Sequence, residues 1–95
     1  MSFRNQRIHL ERVDPSRNMA RYYALSVECD LFGVVLARRW GRIGSNGRAV
    51  FIPFEGIDAA RAAMIDIAKV KCRRGYVVIT GAGEASGNQA AFSKR

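Results

Sequence analysis

The 95-residue sequence is poor in the residue types that carry catalysis, with one histidine, two cysteines and eight carboxylates. Catalysis needs a nucleophile or a metal beside a titrating group. The single histidine, His9, falls in an alternating stretch with no acid–base partner indicated, and it reads as a surface strand residue. Cys29 and Cys72 are too few and too far apart for a zinc framework, and neither belongs to a Cys-x-x-Cys pair. They are expected to be reduced packing residues, so the sequence offers neither a catalytic residue nor a metal site. The start, Met1-Ser2-Phe3-Arg4-Asn5-Gln6-Arg7, lacks the apolar core of a secretory leader, and no apolar run approaches a membrane span. The expectation is a cytoplasmic chain without a membrane partner. Gly41, Gly44 and Gly47 recur every three residues but do not form a Gly-x-Gly-x-x-Gly fingerprint between strand and helix, so no nucleotide cofactor is expected. The absence of an internal repeat excludes a solenoid.

What the sequence has in excess is positive charge. Sixteen Lys and Arg against eight Asp and Glu give a net charge of +8, and thirteen of the sixteen are arginine. That balance points to an acidic partner such as nucleic acid or anionic lipid. Arginine in particular suits planar, two-pronged contact with phosphate. A soluble, arginine-rich surface without a specific partner is the alternative, and the salt dependence of binding separates the two.

Alternation predicts strands over Arg7–Val13 and Ala20–Cys29, with the loop Asp14-Pro15-Ser16-Arg17-Asn18 between them. A turn at Asp30–Gly33 leads to a strand over Val34–Arg42, apolar in its first half and basic in its second. Such a strand is expected to leave the sheet toward solvent, freeing its last residues for a partner. Gly44-Ser45-Asn46-Gly47 signals a hairpin in which Asn-Gly adopts positive backbone angles, and Arg48–Phe54 returns. Pro53 cannot donate to a ladder, which places it at an edge or at the strand's end. From Glu55 or Gly56, Ile57, Ala60, Met64, Ile67 and Ala68 recur at helical spacing, a stripe that covers a sheet. Lys69, Lys71, Arg73 and Arg74 complement the helix dipole, Gly75 is the expected terminator, and Tyr76–Thr80 reads as a last strand. The implied architecture is α+β, a mainly antiparallel β-sheet with one α-helix packed on one face. It occupies a single domain over 1–80, with a flexible tail over 81–95.

The run Ala37-Arg38-Arg39-Trp40-Gly41-Arg42-Ile43-Gly44 holds the only tryptophan. In an extended chain Arg38, Trp40 and Arg42 share one face, while Arg39 and Ile43 point the other way. A flat ring between two guanidinium groups suits a sugar-phosphate chain, and Gly41 would let a partner's backbone approach beside the ring. The candidate nucleic-acid-binding residues are therefore Arg38, Arg39, Trp40, Gly41, Arg42 and Arg48, with the helix-end cluster as further phosphate contacts. The alternatives are a tryptophan serving as core anchor, arginines that protect a strand edge, and Tyr22 and Tyr23 as plain sheet residues.

The ordered set of Arg21-Tyr22-Tyr23, Arg39-Trp40-Gly41-Arg42-Ile43-Gly44, Phe54 before the helix and Lys71-Cys72-Arg73-Arg74-Gly75-Tyr76 at its end runs through most of Leu10–Ile79. It resembles the WGR domain, a small module found in DNA-dependent poly(ADP-ribose) polymerases and, alone or fused, in many bacterial proteins. The fold that the resemblance implies agrees with the architecture above. In the polymerases the family's tryptophan stacks at a DNA end and its motif arginine helps link the domain to its surroundings, which carries over here to Trp40 and Arg42. There the domain passes news of a break to a catalytic domain in the same chain. No such domain is expected here, so the resemblance implies binding without ADP-ribose transfer. DNA is the expected partner, recognised by form rather than sequence. RNA, or an acidic protein or second copy meeting the same Trp and Arg surface, are the other readings.

Overall fold

A computed structural model of the protein describes residues 6–80, so the expected tail over 81–95 lies outside the described residues. The chain runs β1 (Gln6–Asp14), a short 3-10 turn (Pro15–Arg17), β2 (Met19–Asp30), β3 (Gly33–Arg42), β4 (Arg48–Phe54), α1 (Ile57–Arg73) and β5 (Val77–Thr80). The five strands form one antiparallel sheet in the order β4-β3-β2-β1-β5, and α1 lies on one face of it. This is the α+β arrangement expected from the sequence.

Local chemistry explains where the elements stop. Between β1 and β2 the Asp14 carboxylate accepts the Ser16 backbone N–H at 3.2 Å and the Ser16 hydroxyl at 2.6 Å. Pro15 fixes the first residue of the turn, and Asn18 takes the left-handed conformation that short polar side chains tolerate. Pro53 sits one residue before the end of edge strand β4, where its missing N–H costs no ladder bond. In the β3–β4 hairpin the positive φ angles fall on Gly44 and Gly47, not on Asn46 as the Asn-Gly signal suggested.

The core is the alternation made solid. Leu10, Tyr23, Leu25, Val27 and Leu36 on the sheet meet Ala60, Met64 and Ala68 on the helix, with Ile67 packed half-buried against them and Ile57 half-buried at the helix start. The helix stripe is the one its periodicity marks out, and its two small residues allow close approach of the helix axis to the sheet. Leu10, Leu25, Leu36, Met64 and Val27 are fully enclosed. Truncating a buried leucine or methionine to alanine costs about 2–5 kcal/mol. Both cysteines are free and exposed, which corrects the expectation that they pack. Cys29 alternates onto the core side but lies one residue from the end of β2, and Cys72 lies in the last turn of α1.

One further expectation fails. β3 does not leave the sheet where its sequence turns basic: Trp40 is opposite Tyr23 on β2 and Arg48 on β4, and Arg42 is still opposite Arg21. Ladder hydrogen bonds outweigh the side chains' preference for solvent, because arginine reaches water without its backbone leaving the sheet.

Candidate nucleic-acid interface

The end of the helix sets the first half of the site. Gly75 takes φ of 101°, its N–H donates to the Cys72 carbonyl at 3.0 Å, and the Tyr76 N–H donates to the Lys71 carbonyl at 3.1 Å. This pair of bonds is the Schellman closure of a helix C-terminus. It holds Tyr76 beside Lys71, and both reach Tyr23: the Lys71 ammonium is 4.4 Å from the Tyr23 ring centroid, and Tyr76 meets that ring edge-on at 6.3 Å.

The second half comes from β3. Trp40 stacks on Tyr23 with centroids 5.7 Å apart and planes 13° apart. Arg38, two residues earlier on the same face, donates from Nε at 2.9 Å and from an amino group at 2.6 Å to the Tyr23 hydroxyl. Its guanidinium lies 6.0 Å from the Trp40 ring. Trp40 is half-buried: one part packs on the core, the rest stays open. It is therefore both an anchor and a surface, which neither sequence reading anticipated alone.

Beyond this aromatic row the register brings together three arginines that sequence distance keeps apart. Arg12 on β1 is opposite Arg21 on β2, and Arg21 is opposite Arg42 on β3. All three alternate onto the helix side, with Arg12 packed against Gly75, where a Cβ would lie 2.9 Å from its Nε. Like charges directly opposite on a sheet repel. Among the described residues none of the three forms a salt bridge; Arg42 instead donates to the Asn18 carbonyl at 3.3 Å and to its side-chain oxygen at 3.4 Å, both neutral. The two described carboxylates at this end are engaged elsewhere, Asp14 with Arg17 at 3.7 Å and Glu11 with His9 at 3.0 Å. Between the arginine row and the rings lies a hollow of about 250 Å³, lined by Arg21, Tyr22, Trp40, Gly41, Arg42 and Tyr76. At the helix end Lys71 has its pKa held below the usual lysine value, first by burial and then by the charges of Arg74 and Arg38.

Of the expected residues, Arg38, Trp40 and Arg42 share this face, and Arg48 is exposed opposite Trp40. Arg39 is on the other face, 3.7 Å from Glu28 and 5.3 Å from the Phe51 ring centroid, so it does not join them. At Gly41 the close approach is made by the chain itself: a Cβ there would come 2.7 Å from the Gly47 Cα. Gly47 in turn leaves no room for a Cβ against the Trp40 carbonyl and the Tyr22 hydroxyl, which donates to the Asn46 carbonyl at 2.9 Å. The glycine spacing thus closes the hairpin over β2. Arg12, Arg21 and Tyr76 were missed as site residues. Arg12 and Arg21 become neighbours only once the length of the turn between their strands fixes the register.

His9 stacks on Tyr22 at 6.0 Å on the face away from the helix, as a strand residue. Among the described residues no group of three or more His, Cys, Asp or Glu could hold a metal ion, and no helix is long and apolar enough to cross a membrane. No solved structure matches the chain significantly. A curated relative, the uncharacterized protein y4dW of Sinorhizobium fredii, is 48% identical over 71 residues, covering 74% of this chain and 35% of that protein. The chain spans about a third of the length of that relative. The family description that matches is WGR domain, over residues 6–83. With the match running from β1 past β5 and the tryptophan, glycine and arginine on β3 beside the arginine row, the chain belongs to the WGR domain family, a family associated with nucleic-acid binding.

Proposed function

We propose that this chain is a non-enzymatic nucleic-acid-binding module that meets DNA at an end, a nick or another interruption of the duplex. The observation that carries the reading is the row Arg12, Arg21 and Arg42 beside the open side of Trp40, three guanidiniums with no carboxylate partner among the described residues. A protein leaves such charges unpaired at a cost in stability, and a phosphate chain removes that cost. Arg38 and Arg48 flank the ring, while Lys71 and Arg74 extend the positive surface along the helix end. A continuous duplex offers few bare base faces to a half-buried indole and tyrosine, whereas an end or nick exposes one, and stacking tolerates any base. Recognition by form rather than sequence follows. Arg39, on the opposite face, is left out of the interface, and Gly41 contributes backbone floor.

The test is a panel of blunt, nicked, 5′-phosphorylated and single-stranded oligonucleotides, with an RNA duplex, measured by fluorescence anisotropy at several salt concentrations. If about four phosphates are engaged, affinity falls by roughly two decades between ~50 and ~200 mM salt as counterions are released. Interrupted duplexes should bind more tightly than a closed circle of the same sequence. Binding indifferent to salt, or no binding to any member at low salt, would reject the proposal.

A further inference from the structure

At the far end of the sheet from the arginine row, β2 turns into β3 through Leu31 and Phe32, which are 96% and 95% exposed. The turn does not need them. The Asp30 carboxylate accepts the N–H of Phe32 at 2.8 Å and of Gly33 at 3.1 Å, and the positive φ of 135° falls on Gly33. The reversal is held from either side, and small polar residues between would serve it better. Two large apolar side chains on a rigid support, bare to water, are the pattern of a contact surface.

Their surroundings are acidic. Glu28 and Asp30 lie near the end of β2, and the pairing of Phe54 with Val34 brings Glu55, with Asp58 in the first turn of α1, to the same end. Of these only Glu28 meets a described cation, Arg39. Such a collar turns away a phosphate chain or an anionic lipid surface and favours a cationic apolar receptor. Nine strand steps from Gly33 to Arg42, at ~3.3 Å each, separate the tip from the arginine row by about 30 Å.

The same molecule carries the complement of this tip. The hollow of about 250 Å³ has Trp40 and Tyr76 as apolar walls and Arg21 and Arg42 as a cationic rim. We infer that the Leu31-Phe32 tip of one copy seats in the Trp40–Tyr76 hollow of a second copy, with its acidic collar against the arginine row. The contact joins different patches, so each pair keeps one free tip and one free hollow, and association is open-ended. It is small, in the class of transient encounters below ~1,200 Å². It would mask the cationic end until a competing polyanion displaces the tip. Self-association stands independently of the nucleic-acid reading: a strictly monomeric chain that binds DNA sinks this inference alone.

Sedimentation velocity over a concentration series tests it with three proteins: the native chain, a tip variant (Leu31→Ser with Phe32→Ser) and a hollow variant (Arg21→Glu with Arg42→Glu). The native chain should show an average mass that rises with concentration and falls with salt. Each variant alone should stay monomeric, and an equimolar mixture should form a dimer and stop there, because one supplies the hollow and the other the tip. Circular dichroism checks the fold, and Arg21→Gln with Arg42→Gln replaces the charge reversal if that unfolds. A native chain that stays monomeric at its highest soluble concentration, a tip variant that still associates, or a mixture that does not pair would each overturn the inference.

Discussion

Arg21 is the residue on which the proposed interface can be tested with two effects of opposite sign. It sits opposite Arg12 on one side and Arg42 on the other, so replacing it with glutamine removes two cross-strand repulsions and keeps most of the aliphatic stem. A like-charged pair at this spacing costs up to about 1 kcal/mol. Because Arg21 is exposed, solvent and salt screen much of that, and the expected gain is about 0.5–1 kcal/mol for the two pairs at low ionic strength. A domain of this size shifts by ~4–8 °C per kcal/mol, so Tm should rise by ~2–8 °C in dilute buffer. The gain should vanish near ~1 M salt, where charges are screened beyond ~3 Å. Affinity moves the other way. A charge-assisted bond to phosphate at an exposed site is worth about 1.5 kcal/mol, so binding of a nicked duplex should weaken ~10-fold. The slope of log affinity against log salt should become shallower by ~0.9. Thermal melts by circular dichroism and anisotropy titrations read the two effects on one sample, and Arg61→Gln, exposed on the helix well before its C-terminal turn, is the control. A variant less stable than the native protein in dilute buffer would refute the repulsive row; an unchanged salt slope would refute its role in binding.

Trp40→Ala removes both a half-buried anchor and an open ring face, so it should lose about 2–3 kcal/mol of stability and also bind interrupted DNA ~5–150-fold more weakly at a temperature where it remains folded. Chemical denaturation and anisotropy on that variant separate the two losses, and native affinity would remove the indole from the interface. Gly47→Ala should cost at least ~1–3 kcal/mol, because it combines φ of 65° with overlap against the Trp40 carbonyl and Tyr22 hydroxyl; Gly44→Ala, with open space around it, should lose only the smaller backbone part, and equal melting shifts would contradict the packing account. Lys71 has its folded pKa lowered, so its charged form destabilises the fold fully below that pKa. As pH rises from there to the ordinary lysine value, the unfolded chain holds more protons and stability improves; Lys71→Gln should flatten that part of the stability profile. A bound phosphate chain should raise the same pKa, so binding in that alkaline window should take up protons, seen as a buffer-dependent enthalpy in calorimetry.

The sequence by itself determined the elements and their faces. Period-two alternation placed Tyr23, Leu25 and Val27 on one side of β2, the helical stripe from Ile57 to Ala68 named the surface that covers them, and Gly75 marked the helix end, because side-chain direction follows from backbone geometry alone. The same rule put Arg38, Trp40 and Arg42 together and sent Arg39 to the other face. What only the tertiary structure decided was which residues from different strands stand opposite one another. Arg12, Arg21 and Arg42 form a row because two turns have particular lengths, and turn length enters the sequence as local chemistry, without any mark on the arginines themselves. Trp40 could not be assigned to core or surface beforehand, since its burial depends on how far the helix and Tyr76 reach across the sheet, and they leave it half covered. The glycines at 41 and 47 gained their meaning in the same way, as two backbones pressed together across a hairpin.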